Sequence, residues 1–168
     1  VAHLLGIDPG YGRCGWAVIN NDFLYIDCGV IETKPNDENR LLFIYTSLSD
    51  IIKTYNPVSC GVEKLFFNKN VKTAIPVAQV IGVIKLLLAQ HNIPYAEYTP
   101  VQIKQSITGY GRSSKDQLAS MVKKILKAPA IIQYDDAFDA LAIALCHCLA
   151  LPGYSIIQQN ITYNKSGQ

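Results

Sequence analysis

The sequence predicts an α/β fold, a mixed five-stranded sheet with helices on both faces. Three antiparallel strands come first, and parallel strands follow. Three observations carry this expectation. Three strand-like runs follow one another with only short turns between them, as in an antiparallel meander. Helical and strand-like patterns then alternate, which favours parallel pairing through crossovers. The last 16-odd residues before Pro152 are apolar nearly all round, as in a buried helix. The chain's 168 residues, 49% of them apolar, suit one domain with a sizeable core.

Val1–Ile7 reads as a buried strand that stops at Asp8, where Pro9-Gly10 and Gly12 signal a tight turn. Gly15–Ile19 is a second strand, Asn20-Asn21-Asp22 a hairpin-type turn, and Phe23–Thr33 a third strand. The polar loop Lys34–Asn39 leads into a helix. There Leu41, Leu42, Ile44, Tyr45, Leu48, Ile51 and Ile52 recur at helical spacing up to Tyr55, before Pro57. Val58–Glu63 is a short strand and Lys64–Asn70 a loop holding Phe66 and Phe67.

A second helix runs from about Thr73 to His91, capped by Asn70 or Thr73, with Pro76 acceptable only in its first turn. Gly82 in its interior costs about 1 kcal/mol relative to Ala and calls for a close packing partner. Val77, Val80, Ile81, Ile84 and Leu88 form an apolar stripe that suits either a dimer interface or burial against the sheet. Its core, Val77–Ala89, carries Gln79 and Lys85 and is too short to span a bilayer.

Ile93–Tyr98 is the fifth strand, and Thr99-Pro100 opens a short helix. Gly109-Tyr110-Gly111-Arg112 is a loop, and Ser113 or Ser114 caps a helix to about Lys127. Asp135 caps the last helix, which runs to Leu151 and ends at Pro152-Gly153. The domain spans residues 1–153, and residues 154–168 form a polar tail.

With Lys+Arg 15 against Asp+Glu 13, the net charge of +2 provides no global field for nucleic acid, so any such contact rests on local basic clusters. The odd set Cys14, Cys28, Cys60, Cys146 and Cys148 fits no disulfide framework, which points to free thiols in a reducing cytoplasm. Cys146-His147-Cys148 lacks a second ligand pair at zinc spacing. The run Val1–Ile7, broken by His3, does not read as a secretory leader.

Four carboxylates stand out. Asp8 and Glu63 end two apolar strands, while Asp136 and Asp139 are three apart on one face of the apolar last helix. A carboxylate inside such a helix is costly unless it is paired or bound to metal. Phosphodiester hydrolysis needs an activated water and a stabilised leaving oxygen, and two magnesium ions held by several carboxylates supply both. Taken singly, Asp8 also fits an ordinary turn, and Asp135 or Asp136 a helix cap. Lys69, Lys72, Lys104, Arg112 and Lys115 lie in loops or at helix starts and are candidate phosphate contacts, each also explicable as solvated charge. Tyr110, between two glycines, is a further candidate contact. Alternation along an extended segment turns Phe66 and Phe67 opposite ways, one ring into the core and one free to stack on a base.

GIDPG at the first strand end, VEKLFFNKN, VQIKQSITGYGRSSKDQL and DDAFDALAIALCHCLA, in this order, resemble the RuvC family of bacterial Holliday junction resolvases, up to about Leu151. GIDPG alone is also similar to the first phosphate loop of sugar kinases, but no second glycine-rich phosphate loop is present. The resemblance implies an RNase H-like nuclease, active as a homodimer on four-way DNA junctions and partnered by the RuvA–RuvB branch-migration motor. It implies divalent metal, Mg2+ with Mn2+ as a substitute, held by Asp8, Glu63, Asp136 and Asp139. It assigns base stacking to Phe66 and DNA contact to Lys104 and Lys115. Pro76 and Asp135 depart from the family pattern. Rival readings are another RNase H-like nuclease and a non-catalytic junction-binding protein.

Overall fold

The computed structural model describes residues 1–65, 71–129 and 132–152. Phe66, Phe67, Lys69, Asn70 and the 154–168 tail lie outside the described residues. Among those described, the strands are β1 (His3–Asp8), β2 (Arg13–Asn20), β3 (Tyr25–Glu32), β4 (Ser59–Glu63) and β5 (Tyr95–Tyr98). The helices are α1 (Arg40–Tyr55), α2 (Val71–Gln90), α3 (Pro100–Thr108), α4 (Lys115–Leu126) and α5 (Asp135–Ala150).

The sheet order is β3-β2-β1-β4-β5, antiparallel through β3, β2 and β1 and parallel through β1, β4 and β5. The Asn20 side chain forms the β2–β3 turn by accepting the N–H groups of Asp22 and Leu24, both at 2.9 Å. Strand alternation sorts the core into two layers. Leu5, Ile7, Cys14, Val18, Cys60 and Val62 face α1 and α2. Leu4, Ala17 and Ile19 face α3, α4 and α5. All five thiols are free, and four of them are buried in these layers.

Glycine governs how closely α5 lies on the sheet. Gly15, Gly6 and Gly61 sit on β2, β1 and β4, all on the α5 side. A methyl group at Gly6 would collide with backbone atoms of Ala140 and Ala144, and one at Gly15 with the backbone of Asp136. At Gly61 it would stand 2.8 Å from His147 Cβ. The three glycines make a strip bare of side chains, and the helix backbone rests on it.

Several helix ends match expectation and others do not. Thr99 caps α3 with Gln102 in a reciprocal capping box, and Ser114 does the same for α4 with Gln117. Asp135 does not cap α5. Tyr134 occupies the cap position, and the Asp135 side chain extends instead to Lys115. A carboxylate in the first turn gains from the helix dipole without a capping bond.

Helix α2 begins at Val71, so Thr73 is inside it and Pro76 falls in the second turn rather than the first. The stripe Val80, Ile81, Ile84 and Leu88 is buried in the core, which settles its use within this chain. A different face of α2 is exposed, with Ile75, Ala78, Gly82 and Leu86 along it. Among the described residues no atom outside the local helix backbone lies within 4 Å of a Cβ built on Gly82, so the packing partner expected there is not found among them. By length and composition Lys72–Gln90 is enough to cross a membrane, longer than the Val77–Ala89 run suggested. Its buried face, however, makes it a core helix on the sheet.

Candidate active site

Asp8 ends β1, and the parallel register pairs Ile7 with Val62, so the next step along sets Asp8 beside Glu63. Both belong to the α5 side of the sheet, because Gly6 and Gly61, two residues back, face that helix. Helix α5 runs over this edge with its N-terminal end, which carries Asp136 and Asp139. Asp136 is fixed by its backbone resting on Gly15, the residue that pairs with Asp8 across β1 and β2.

Electrostatics report the crowding. Burial pushes the Asp8 carboxyl well above the usual carboxylate range, and repulsion from Glu63, Asp139 and Asp136 adds to it. Asp8 and Glu63 share a side-chain hydrogen bond. Glu63 is raised by burial and then by Asp139. Asp139 is raised by burial, partly opposed by Lys115. The group is therefore four mutually repelling carboxylates, with part of their charge suppressed by a retained proton.

An oxygen-only donor set of this kind fits a hard divalent cation, which would replace that proton and relieve the repulsion. Among the described residues no three such side chains converge tightly enough to ligate one ion as they stand.

A cavity of about 220 Å³ opens beside the carboxylates, lined by Glu63, Asp139, Ala142, Pro100, Ile103, Lys104, Lys115 and Leu118. Lys104 and Lys115 thus stand at its wall. The Lys115 ammonium is 3.2 Å from Asp135, and its pKa is raised by that hydrogen bond and by Asp139. Arg112 and Tyr110 are exposed on the α3–α4 loop and do not line this cavity. Lys72 is exposed near the start of α2.

Two features were not anticipated from the sequence. Arg13, at the start of β2, reaches Asp136 at 3.9 Å and Glu32 at 3.5 Å and lies over the Tyr134 ring. The pairing of β2 with β3, which registers Arg13 against Glu32, was the available signal. The second is His147, buried with its ring bridging Tyr98 Oη at 2.8 Å and Ser59 Oγ at 2.9 Å. Burial lowers its pKa to about 4, so the imidazole is neutral. Asp139, Ile143 and His147 are successive rungs on one face of α5, over Glu63, Gly61 and Ser59 of β4. The His147–Ser59 bond therefore pins the helix along the strand that carries Glu63.

A mixed five-stranded sheet with acidic side chains at the ends of its central strands, crossed by a helix bearing two more, defines an RNase H-like fold with a carboxylate-centred site. The family model described as Crossover junction endodeoxyribonuclease RuvC matches residues 4–147, and the chain belongs to that family. It is 52% identical over 149 residues to the RuvC of Petrotoga mobilis, covering 86% of this chain and 91% of the relative. It is 45% identical over 153 residues to that of Roseiflexus sp., covering 88% and 91%. The structure of Thermus thermophilus RuvC in complex with Holliday junction substrate aligns with a TM-score of 0.82 at 27% identity, covering 88% of this chain and 93% of that one. Family membership carries dependence on a divalent metal ion.

Proposed function

We propose that this chain is a structure-selective endonuclease that resolves Holliday junctions by magnesium-dependent hydrolysis of paired strands, in DNA recombination and repair. The observation that carries the reading is the gathering of Asp8 and Glu63 from neighbouring strand ends with Asp136 and Asp139 of the crossing helix, in a chain of the RuvC family.

Asp8, Glu63, Asp136 and Asp139 would hold the metal. Mg2+ suits their hard oxygens, and Mn2+ can stand in for it. When bound, the metal supplies an activated water and stabilises the leaving oxygen. The chain's own residues do the rest. Lys104 and Lys115 at the cavity wall receive the phosphate backbone, and Arg112 extends that contact along the α3–α4 loop. Phe66 and Lys69 follow Glu63 closely in sequence; Phe66 stacks on a base at the junction centre and Lys69 contacts the backbone nearby.

Two symmetric cuts call for two sites related by a two-fold axis. The exposed apolar face of α2, with Ile75, Gly82 and Leu86, is the surface proposed for a second copy. Gly82 there lets two helices approach closely. The branch-migration motor RuvA–RuvB is the proposed further partner.

The test is a side-by-side cleavage assay on a four-way junction, a linear duplex and an RNA–DNA hybrid. Cutting confined to the junction supports the reading. Equal cutting of the hybrid would favour a general RNase H-like nuclease instead, and junction binding with no metal-dependent cutting a binding protein.

A further inference from the structure

The carboxylate site is bordered by cations on two opposite sides. Lys115 stands on the α4 side, 3.2 Å from Asp135. Arg13 stands on the β2 side, 3.9 Å from Asp136. A phosphodiester approaching Asp8, Glu63, Asp136 and Asp139 meets a strongly negative edge. Bound metal would offset much of that charge, and protein cations add to the offset on the sides where the strand passes.

The arrangement around Arg13 is built to hold a planar guanidinium without saturating it. Its strand register points it to the α5 side, as for Gly15 and Ala17. The Tyr134 ring lies beneath it, 5.5 Å from ring centroid to guanidinium carbon. Glu32, its cross-strand partner, is 3.5 Å from Nη2, and Asp136 is 3.9 Å from Nη1. Both contacts are longer than the about 2.8 Å of a close charge-assisted hydrogen bond. Guanidinium carries five N–H donors, and two long contacts leave most of that capacity for an added oxyanion. The side chain is 49% exposed, so its donors are open to a ligand from solvent. Ion pairs this long and this exposed contribute little to stability. Loss of the side chain therefore should not unfold the protein.

We infer that Arg13 binds a non-bridging phosphate oxygen of the strand being cut, on the opposite flank of the carboxylate site from Lys115. The inference rests on the nuclease reading above and adds a substrate-contacting residue to it. Asp136 would help hold the metal, and its 3.9 Å contact with Nη1 is long enough to leave the guanidinium fork open to the phosphate. Arginine, rather than lysine, fits the two-pronged geometry of a phosphate.

The test uses the full chain and the variants Arg13→Ala and Arg13→Lys. Three quantities are read: cleavage of a synthetic four-way junction with magnesium, the salt dependence of junction binding with calcium in its place, and manganese affinity without DNA. The expected result for R13A is a fall in kcat/KM of about tenfold or more. Its log-affinity against log-salt slope should be shallower by about 1, as for loss of one phosphate contact. Manganese affinity and melting temperature should stay at wild-type values, and R13K should keep the slope while recovering only part of the rate. A wild-type salt slope in R13A would overturn the inference. So would a fall in manganese affinity that matches the fall in activity, because Arg13 would then act only by holding Asp136. The slope is read from binding alone, so it tests the Arg13 contact even should wild-type protein leave the junction uncut, the result that would instead sink the nuclease reading.

Discussion

Asp8 and Glu63 stand side by side at the ends of adjacent parallel strands, joined by a carboxyl–carboxylate hydrogen bond on the side of the sheet covered by α5. Two acids at this spacing cannot both be charged at modest cost in a half-buried site. The fold holds them there because Gly6 and Gly61 beneath them let α5 close over the sheet. The site is strained electrostatically in the metal-free protein, and most of its testable behaviour follows from that.

Neutralising one member should separate function from stability. Asp8→Asn and Asp139→Asn are each expected to lower junction cleavage by about 100-fold or more, the scale of losing a principal electrostatic group. The same substitutions should raise the melting temperature of the metal-free protein by removing repulsion. Differential scanning calorimetry in chelator, alongside cleavage rates, measures both. A D8N protein that is less stable than wild type in chelator would show that Asp8 is held by favourable contacts instead.

The pH dependence has a definite sign. Asp8 is raised from 3.8 to about 8, chiefly by burial and then by Glu63, Asp139 and Asp136. The folded state thus binds this proton more tightly than the unfolded state does. Its stabilising contribution is complete below 3.8, is lost as pH rises through about 8, and is level above that. Urea unfolding in chelator should show wild type losing stability relative to D8N across this window. Parallel curves for the two proteins would contradict the shift.

His147 should show the opposite slope. Burial lowers it from 6.5 to about 4, so the unfolded chain takes up the proton first as pH falls. Its contribution is present above 6.5 and is lost as pH drops toward 4. Relative to His147→Gln, wild type should lose melting temperature between about pH 7 and about pH 5. An unchanged difference over that range would mean that the imidazole is protonated or solvated in the native state.

Close approach of α5 should be intolerant of a single methyl group. Gly6→Ala places a carbon against backbone atoms of Ala140 and Ala144, which no side-chain rotation can relieve. The cost should reach about 1–3 kcal/mol, the range for overpacking a well-filled core. Gly82→Ala, with open space around it, should raise monomer stability by about 1 kcal/mol through helix propensity. Chemical denaturation of both variants is the check.

The exposed face of α2 makes a further prediction. Leu86 is 56% exposed, and Leu86→Glu should convert the proposed dimer to monomer with the fold intact. Sedimentation velocity and circular dichroism together read this. A wild-type sedimentation coefficient for L86E would remove α2 as the interface.

Much of this was legible in the sequence, for identifiable reasons. Strand and helix order follows from period and punctuation; Asp8 and Glu63 are marked as candidates by apolar runs that end in acid, and Asp136 and Asp139 by their spacing on an apolar helix. What stayed illegible depends on contacts between distant segments. Arg13 carries no signal of its own in the sequence, and only pairing with β3 and the crossing of α5 set it near Glu32 and Asp136. The apolar stripe of α2 could not be divided between core and interface, because both faces of that helix carry large apolar residues. Asp135 has the residue type of a cap, but Lys115, twenty positions earlier, draws its side chain away. The strip of Gly6, Gly15 and Gly61 is likewise defined only by its shared contact with α5.

Asp8, Glu63, Asp136 and Asp139 are proposed to form one metal site that cuts four-way junctions. Single-turnover cleavage of a synthetic four-way junction across a magnesium titration, by wild type and Asp139→Asn, tests it most directly. Wild type should make paired, symmetric incisions that vanish without magnesium, and D139N should show no comparable cutting at any magnesium concentration. Cleavage by wild type in chelator, or by D139N at the wild-type rate, would contradict it.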